Sequence, residues 1–255
     1  MLASWEQYAT RWSGLHGGVD PRHGSVLFRG WLRLAYRVGR LLARLGIRPA
    51  AVTALGLLLC ALVPLAVRSG RPGPLIAAGL VVLAAMADSA DGAVAVITNR
   101  VTRLGYVYDS VADRLGEAAW LVGFWLLGVP AWLVVAAGAV AWLHEYLRAR
   151  ATAAGMREIG VVTVAERPVR GIVVTLGFVL AGLGGLVGPT LRTGTATMAA
   201  AAWLLVGVAG LGQLAAAVHA ALGHRTGTHP TAETHRTAEA HRTEAHRTEA
   251  HRTEV

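Results

Sequence analysis

Five aspartates occur in the 255-residue chain. Four of them, Asp88, Asp91, Asp109 and Asp113, lie inside strongly apolar stretches. Asp88 and Asp91 are three residues apart and share one helix face; Asp109 and Asp113 are four apart and do the same. Asp91 lies nine residues before Arg100, and Asp113 ten after Arg103. Two antiparallel helices joined through those arginines would carry the acids to one depth, ~15 Å beyond the basic positions. Four carboxylates gathered there repel one another, and Arg114 is the one cation nearby in sequence. Divalent ions resolve the repulsion, and hard oxygen ligands suit Mg²⁺, Mn²⁺ or Ca²⁺ rather than zinc. Two ions can share four acids, a layout suited to phosphoryl chemistry. Gly92, Ala95 and Gly105 leave room for a ligand on the acidic face.

The elements that must position these acids are membrane helices. Hydrophobic residues make up 54% of the chain and charged ones 15%, with a mean hydropathy of +0.48. That balance excludes a disordered chain, a collagen-like repeat and a disulfide scaffold, and it argues against a soluble globular domain. The one cysteine, Cys60, sits in an apolar run and can form no disulfide within the chain. All 24 basic residues are arginine. Six runs approach the ~20 residues that a span requires: 49–67, 74–97, 105–127, 129–143, 171–191 and 193–222. Gly70–Pro74, Gly128-Val129-Pro130 and Gly188-Pro189 mark the reversals. Arginine crowds residues 1–48, the links at 100–103 and 148–170, and the C-terminal tail, whereas the opposite side holds Arg68, Arg71 and Arg192. This bias puts both termini in the cytoplasm with an even number of spans.

The expected fold is thus an all-α integral membrane protein of the cell membrane, with six transmembrane helices behind an amphipathic interfacial helix. Residues 1–25 form an N-terminal segment without the apolar core of a cleavable signal peptide. Residues 26–48 alternate arginine and apolar positions at helical spacing, as a helix on the cytoplasmic leaflet does. Residues 49–222 are the six-helix domain. Residues 223–255 carry an HRTEA repeat that cannot bury a core and is expected to be disordered, without a specific metal site on its histidines. Trp120, Trp125, Trp132 and Trp142 are expected as interfacial anchors.

The pattern Asp88-Ser-Ala-Asp91-Gly92-Ala-Val-Ala95, followed by Gly105-Tyr-Val-Tyr-Asp109-Ser-Val-Ala-Asp113, resembles the signature of the CDP-alcohol phosphatidyltransferase family. Every acid and glycine of D-x₂-D-G-x₂-A-R-x₈-G-x₃-D-x₃-D falls in place; the family arginine after Ala95 is Val96 here. The resemblance covers roughly residues 26–222. It implies phospholipid biosynthesis: transfer of a phosphatidyl group from CDP-diacylglycerol to the hydroxyl of a polyol or polyol phosphate, with release of CMP. It implies that Asp88, Asp91, Asp109 and Asp113 hold two ions, Mg²⁺ or Mn²⁺, and that Asp113 is also the catalytic base. Asp88, Asp91, Gly92, Ala95 and Gly105 would receive the nucleotide, with Arg100 or Arg103 standing in for the arginine missing at 96. Family members often pair as homodimers. Membrane lipids are expected partners and nucleic acid is not.

Glu145-Tyr-Leu-Arg148-Ala-Arg150-x₄-Gly155 and Glu166-Arg167-Pro168-Val-Arg170 are similar to segments of bacterial members that use phosphorylated polyols. Guanidinium groups suit phosphate oxygens, and of Arg148, Arg150, Arg167 and Arg170 the first and third are the stronger candidates for the acceptor phosphate. Glu145 stands where inositol-phosphate enzymes often have a small hydroxyl residue, so glycerol phosphate stays open as an acceptor. Two other functions compete. One is an ion or proton transporter relaying through the acids, although no second Asp pattern marks an inverted repeat. The other is a catalytically silent relative serving as a membrane scaffold, which Val96 motivates.

Overall fold

A computed structural model describes residues 2–15, 17–156 and 163–223, and the repeat tail lies outside the described residues. Among these residues the chain forms eight α-helices and no strand. They are α1 (Trp5–Leu15), α2 (Val26–Arg44), α3 (Pro49–Val67), α4 (Gly73–Ile97), α5 (Arg103–Leu126), α6 (Ala131–Ala153), α7 (Arg167–Val187) and α8 (Pro189–Gly223).

Local chemistry explains the boundaries. Prolines open α3, α4 and α7, where the missing N–H would have had no helical partner. Ser25 caps α2 by accepting from the Phe28 N–H at 3.3 Å, and Thr102 caps α5 by accepting from the Gly105 N–H at 3.0 Å. Gly70 and Gly128 end the reversals after α3 and α5 with φ of 90° and 91°, a region that favours glycine.

Helices α3 to α8 correspond to the six expected runs, with shifted ends: α5 opens at Arg103, α7 ends at Val187 and α8 opens at Pro189. Helix α6 continues past Leu143 to Ala153, because its Glu, Leu, Arg and Ala residues are good helix formers. Helix α7 starts at Arg167 rather than Gly171. Residues 1–25 contain the helix α1, which was not expected there. Among the described residues four helices, α3, α4, α7 and α8, are long and apolar enough to cross a membrane. Helices α5 and α6 carry part of the charge of the polar sites described below, α5 through Asp109, Asp113, Arg114 and Glu117 and α6 through Glu145 and Arg148.

Helix α3 packs closely on α4 and α5, α7 on α8 and α4, and α6 on α8. Small residues permit these approaches: a Cβ on Gly116 would lie 3.0 Å from Cys60 Sγ, and one on Gly56 would lie 3.4 Å from the Ala87 Cβ. Trp120, Phe124, Phe178 and Trp203 fill the centre, with the Phe124 and Phe178 rings 4.7 Å apart. Trp120 therefore belongs to the core, not to a membrane interface, because its face of α5 meets Trp203 of α8. Trp125, Trp132 and Trp142 are exposed.

Helix α2 lays Leu32, Ala35, Tyr36 and Gly39 against α4 and leaves Leu27, Leu34, Leu41 and Leu45 exposed. Helix α1 is braced on it by aromatic contacts of Trp5 and Tyr8 with Tyr36, and by the Tyr36 hydroxyl donating to Ala3 O at 3.0 Å.

Candidate metal and phosphate site

The site lies between α4 and α5, which touch each other little directly, with α3 as its floor. Asp88 comes from α4, and Asp109 and Asp113 from successive turns of α5. One carboxylate oxygen from each lies within 4.8 Å of the other two. All four expected acids line one pocket, and these three are the ones whose oxygens come this close. Asp91 lines the same pocket but turns to α3, where Thr53 Oγ1 donates to its Oδ2 at 2.6 Å. It is only 7% exposed, so this hydrogen bond matters to it.

The cation facing the acids is Arg167, at the first turn of α7. Its NH1 pairs with Asp113 Oδ1 at 2.8 Å and also with Asp88 Oδ1. Arg114, the sequence neighbour, points away and pairs with Glu117 and Glu145. Asp109 Oδ1 is buried without a hydrogen-bond partner. An unpartnered buried carboxylate oxygen beside two further carboxylates is a hard, anionic donor set, and it fits a divalent cation such as Mg²⁺ or Mn²⁺.

The small residues divide. A Cβ on Gly92 would meet nothing within 4 Å, so this face of α4 borders open space. Ala95 lies one turn further along the same helix and is half-buried. Gly105 has a local reason, since a Cβ there would lie 3.0 Å from the capping Thr102 hydroxyl. Val96 is buried among Tyr8, Tyr36, Ala93 and Ile97. The guanidinium that reaches it comes from α1, with Arg11 NH1 donating to Val96 O at 3.3 Å.

Arg148 of α6 approaches the start of α7, where its NH2 donates to Glu166 Oε1 at 2.5 Å. The Nε atoms of Arg148 and Arg167 are both buried without partners, which leaves each guanidinium an unused donor. Arg150 is exposed. Arg170 is not available to a phosphate: it is 1% exposed and committed to Glu117, Glu145 and Ala165 O.

Reading by residue pattern missed Thr53, Glu117 and, at the junction before α7, Thr163 and His144. There Glu166 accepts from the Thr163 N–H at 3.0 Å, and Thr163 Oγ1 lies 3.0 Å from His144 Nε2. Glu117 did carry a signal, as a glutamate four residues after Asp113 in an apolar run.

Apolar helices around a carboxylate pocket suit an enzyme that handles phosphate groups through divalent cations. A family model described as CDP-alcohol phosphatidyltransferase matches residues 47–222, and the chain belongs to that family. It is an enzyme of phospholipid biosynthesis, and the family uses divalent metals. The archaetidylinositol phosphate synthase of Pyrococcus horikoshii is 32% identical over 139 residues, covering 54% of this chain and 72% of that protein. The synthase of the same name from Aeropyrum pernix is 33% identical over 81 residues, 32% of this chain and 42% of that one. Among solved structures, Mycobacterium tuberculosis phosphatidylinositol phosphate synthase with CDP-DAG bound is 25% identical. It has a TM-score of 0.56 and covers 71% of this chain and 94% of that one. A second structure of that enzyme, with manganese and citrate, is similar in fold at 24% identity, with a TM-score of 0.55 and coverage of 71% and 88%.

Proposed function

We propose that this enzyme transfers a phosphatidyl group from CDP-diacylglycerol to the hydroxyl of a phosphorylated polyol and releases CMP. The observation that carries this reading is the trio Asp88, Asp109 and Asp113, drawn from two helices with their oxygens within 4.8 Å. Those three, with Asp91 alongside, would hold Mg²⁺ or Mn²⁺, as two ions. When bound, divalent cations supply charge neutralisation to the diphosphate and to the leaving CMP.

The chain's own residues do the rest. Gly92 and Ala95 let the nucleotide approach the backbone of α4, with Gly105 at the near end of α5. Arg148 and Arg167 bind the acceptor phosphate with the donors they hold in reserve. Asp113 accepts the proton of the acceptor hydroxyl as that oxygen bonds to the lipid-bearing phosphorus. The P–O bond to CMP breaks, and CMP departs with the bonding pair. Helices α3 to α8 span the membrane six times, α2 lies along the cytoplasmic leaflet, and both termini face the cytoplasm. The named relatives support an inositol phosphate as acceptor, and glycerol phosphate is the alternative.

CMP release from CDP-diacylglycerol, measured with Mg²⁺ or Mn²⁺ over a panel of free and phosphorylated polyols, tests the proposal. Acceptor-dependent release that Asp113→Asn abolishes is expected. Release of CMP with free polyols but with no phosphorylated one would overturn the phosphorylated-acceptor reading.

A further inference from the structure

Two pairs of charges face each other across α5 and α7. Asp113 and Glu117 are one turn apart on α5, and Arg167 and Arg170 are one turn apart on α7. They pair in register as a two-rung ladder: Arg167 NH1 to Asp113 Oδ1 at 2.8 Å, and Arg170 Nε to Glu117 Oε1 at 2.8 Å. The outer rung borders the pocket. The inner rung is sealed, with Glu117 and Arg170 each 1% exposed. Arg114 and Glu145 complete it: Arg114 NH1 lies 3.2 Å from Glu117 Oε2, and Arg170 NH2 lies 3.3 Å from Glu145 Oε1. Two carboxylates and two guanidinium groups balance, so no net charge is buried there.

The backbones explain why such a lattice is needed. Helix α7 packs closely on α8 and α4 but meets α5 through side chains. Toward the other end that contact is the Phe124–Phe178 pair. At the pocket end it is the ladder. A sealed ion pair gains little net stability over apolar residues of the same size, so stability alone does not account for it. It does impose direction, because a guanidinium fork accepts a carboxylate in few geometries.

We infer that Glu117 and Arg170 are positioning residues, which hold the start of α7 so that Arg167 and Arg148 meet the acceptor phosphate at a fixed distance from Asp113. This rests on the transfer reading above. That reading calls on both members of the outer rung, Asp113 for metal and proton and Arg167 for phosphate. The inner rung keeps the register of α7 while the outer pair exchanges partners.

The test is Glu117→Met combined with Arg170→Met, which replaces the sealed pair by apolar side chains and avoids an orphaned charge. Melting temperature and gel-filtration profile check the fold. Mn²⁺ binding, followed by electron paramagnetic resonance, checks the carboxylate trio. KM for inositol 1-phosphate or glycerol 3-phosphate, whichever the panel finds active, and KM for CDP-diacylglycerol are then compared. A variant with wild-type melting and Mn²⁺ affinity, an acceptor KM raised ~10-fold or more and a donor KM within about twofold is the expected result. Unchanged KM values in a stable variant overturn the inference, as does an equal rise in both. If the double variant does not fold, Glu117→Gln is measured in the same way. It leaves Arg170 its partner Glu145, and its acceptor KM alone must rise. An absence of CMP release from the wild type would overturn the transfer reading itself, before any variant is compared.

Discussion

The carboxylates in the pocket have different surroundings, and those surroundings set what each substitution does. Asp109 carries the unpartnered oxygen, so Asp109→Asn should weaken Mn²⁺ binding at least ~10-fold, a change in affinity typical for altered ligand shells, with little loss of stability. Titration of the spin signal with Mn²⁺ reads this directly. Asp91 differs, because its partner is Thr53. Thr53→Val leaves that carboxylate without its donor and should destabilise the protein by ~1–3 kcal/mol, seen as a lowered melting temperature in detergent. Tyr8 offers a test by pH. Burial pushes its phenol from 10.0 up to about 12, and no opposing cause is present. A phenol raised in the folded state contributes stability that is full below its unfolded pKa and is lost as pH rises through the folded one. Alkaline titration followed by tyrosinate absorbance should therefore show a late step near the unfolding pH, and Tyr8→Phe should remove it. At this scale the acids were legible in the sequence, because carboxylates in apolar runs have few other uses. The partners of the arginines were not. Arg170 reads as a phosphate ligand until its neighbours across the bundle are known, since spacing along one helix says nothing of the helix opposite.

Helix ends and helix approaches carry the next level. Turn residues announced the breaks before α4, α6 and α8, because glycine and proline act on the backbone locally. The extension of α6 to Ala153 was hidden, since hydropathy falls at Leu143 while helix propensity does not. Helix α1 was hidden for the opposite reason. Its stability comes from rings of Trp5, Tyr8 and Tyr36 meeting across two helices, which no window along the chain registers. Close approach was only partly visible, because small residues occur throughout membrane helices. At Gly39 it is decisive: an added Cβ would come within 2.7 Å of the Ala93 Cβ. Gly39→Leu should push α2 from α4 at a cost of ~1–3 kcal/mol. Limited proteolysis should then cut before Pro49 sooner than in the wild type.

Across the whole molecule, the six helices α3 to α8 were readable from hydropathy and turn residues, while the pairing of helices was not. Antiparallel neighbours were expected to bring the acids together; α4 and α5 do so with little packing on each other, above a floor supplied by α3. Close packing replaces water-driven burial as the main cohesive force between helices in lipid. Phe178→Ala should consequently cost ~3–5 kcal/mol by opening a void beside Phe124, while Mn²⁺ affinity stays within about twofold. The two kinds of ion pair near α7 also differ in their reach to water. The Arg148 and Glu166 side chains are 27% and 25% exposed, whereas those of Arg170 and Glu117 are 0% and 1%. Dissolved electrolyte shields the first pair and leaves the second untouched. Raising potassium chloride should accordingly loosen the grip on a phosphorylated acceptor, gradually and reversibly, without lowering the melting temperature. The enzyme would then respond to ionic strength as a loss of substrate affinity rather than as a loss of structure.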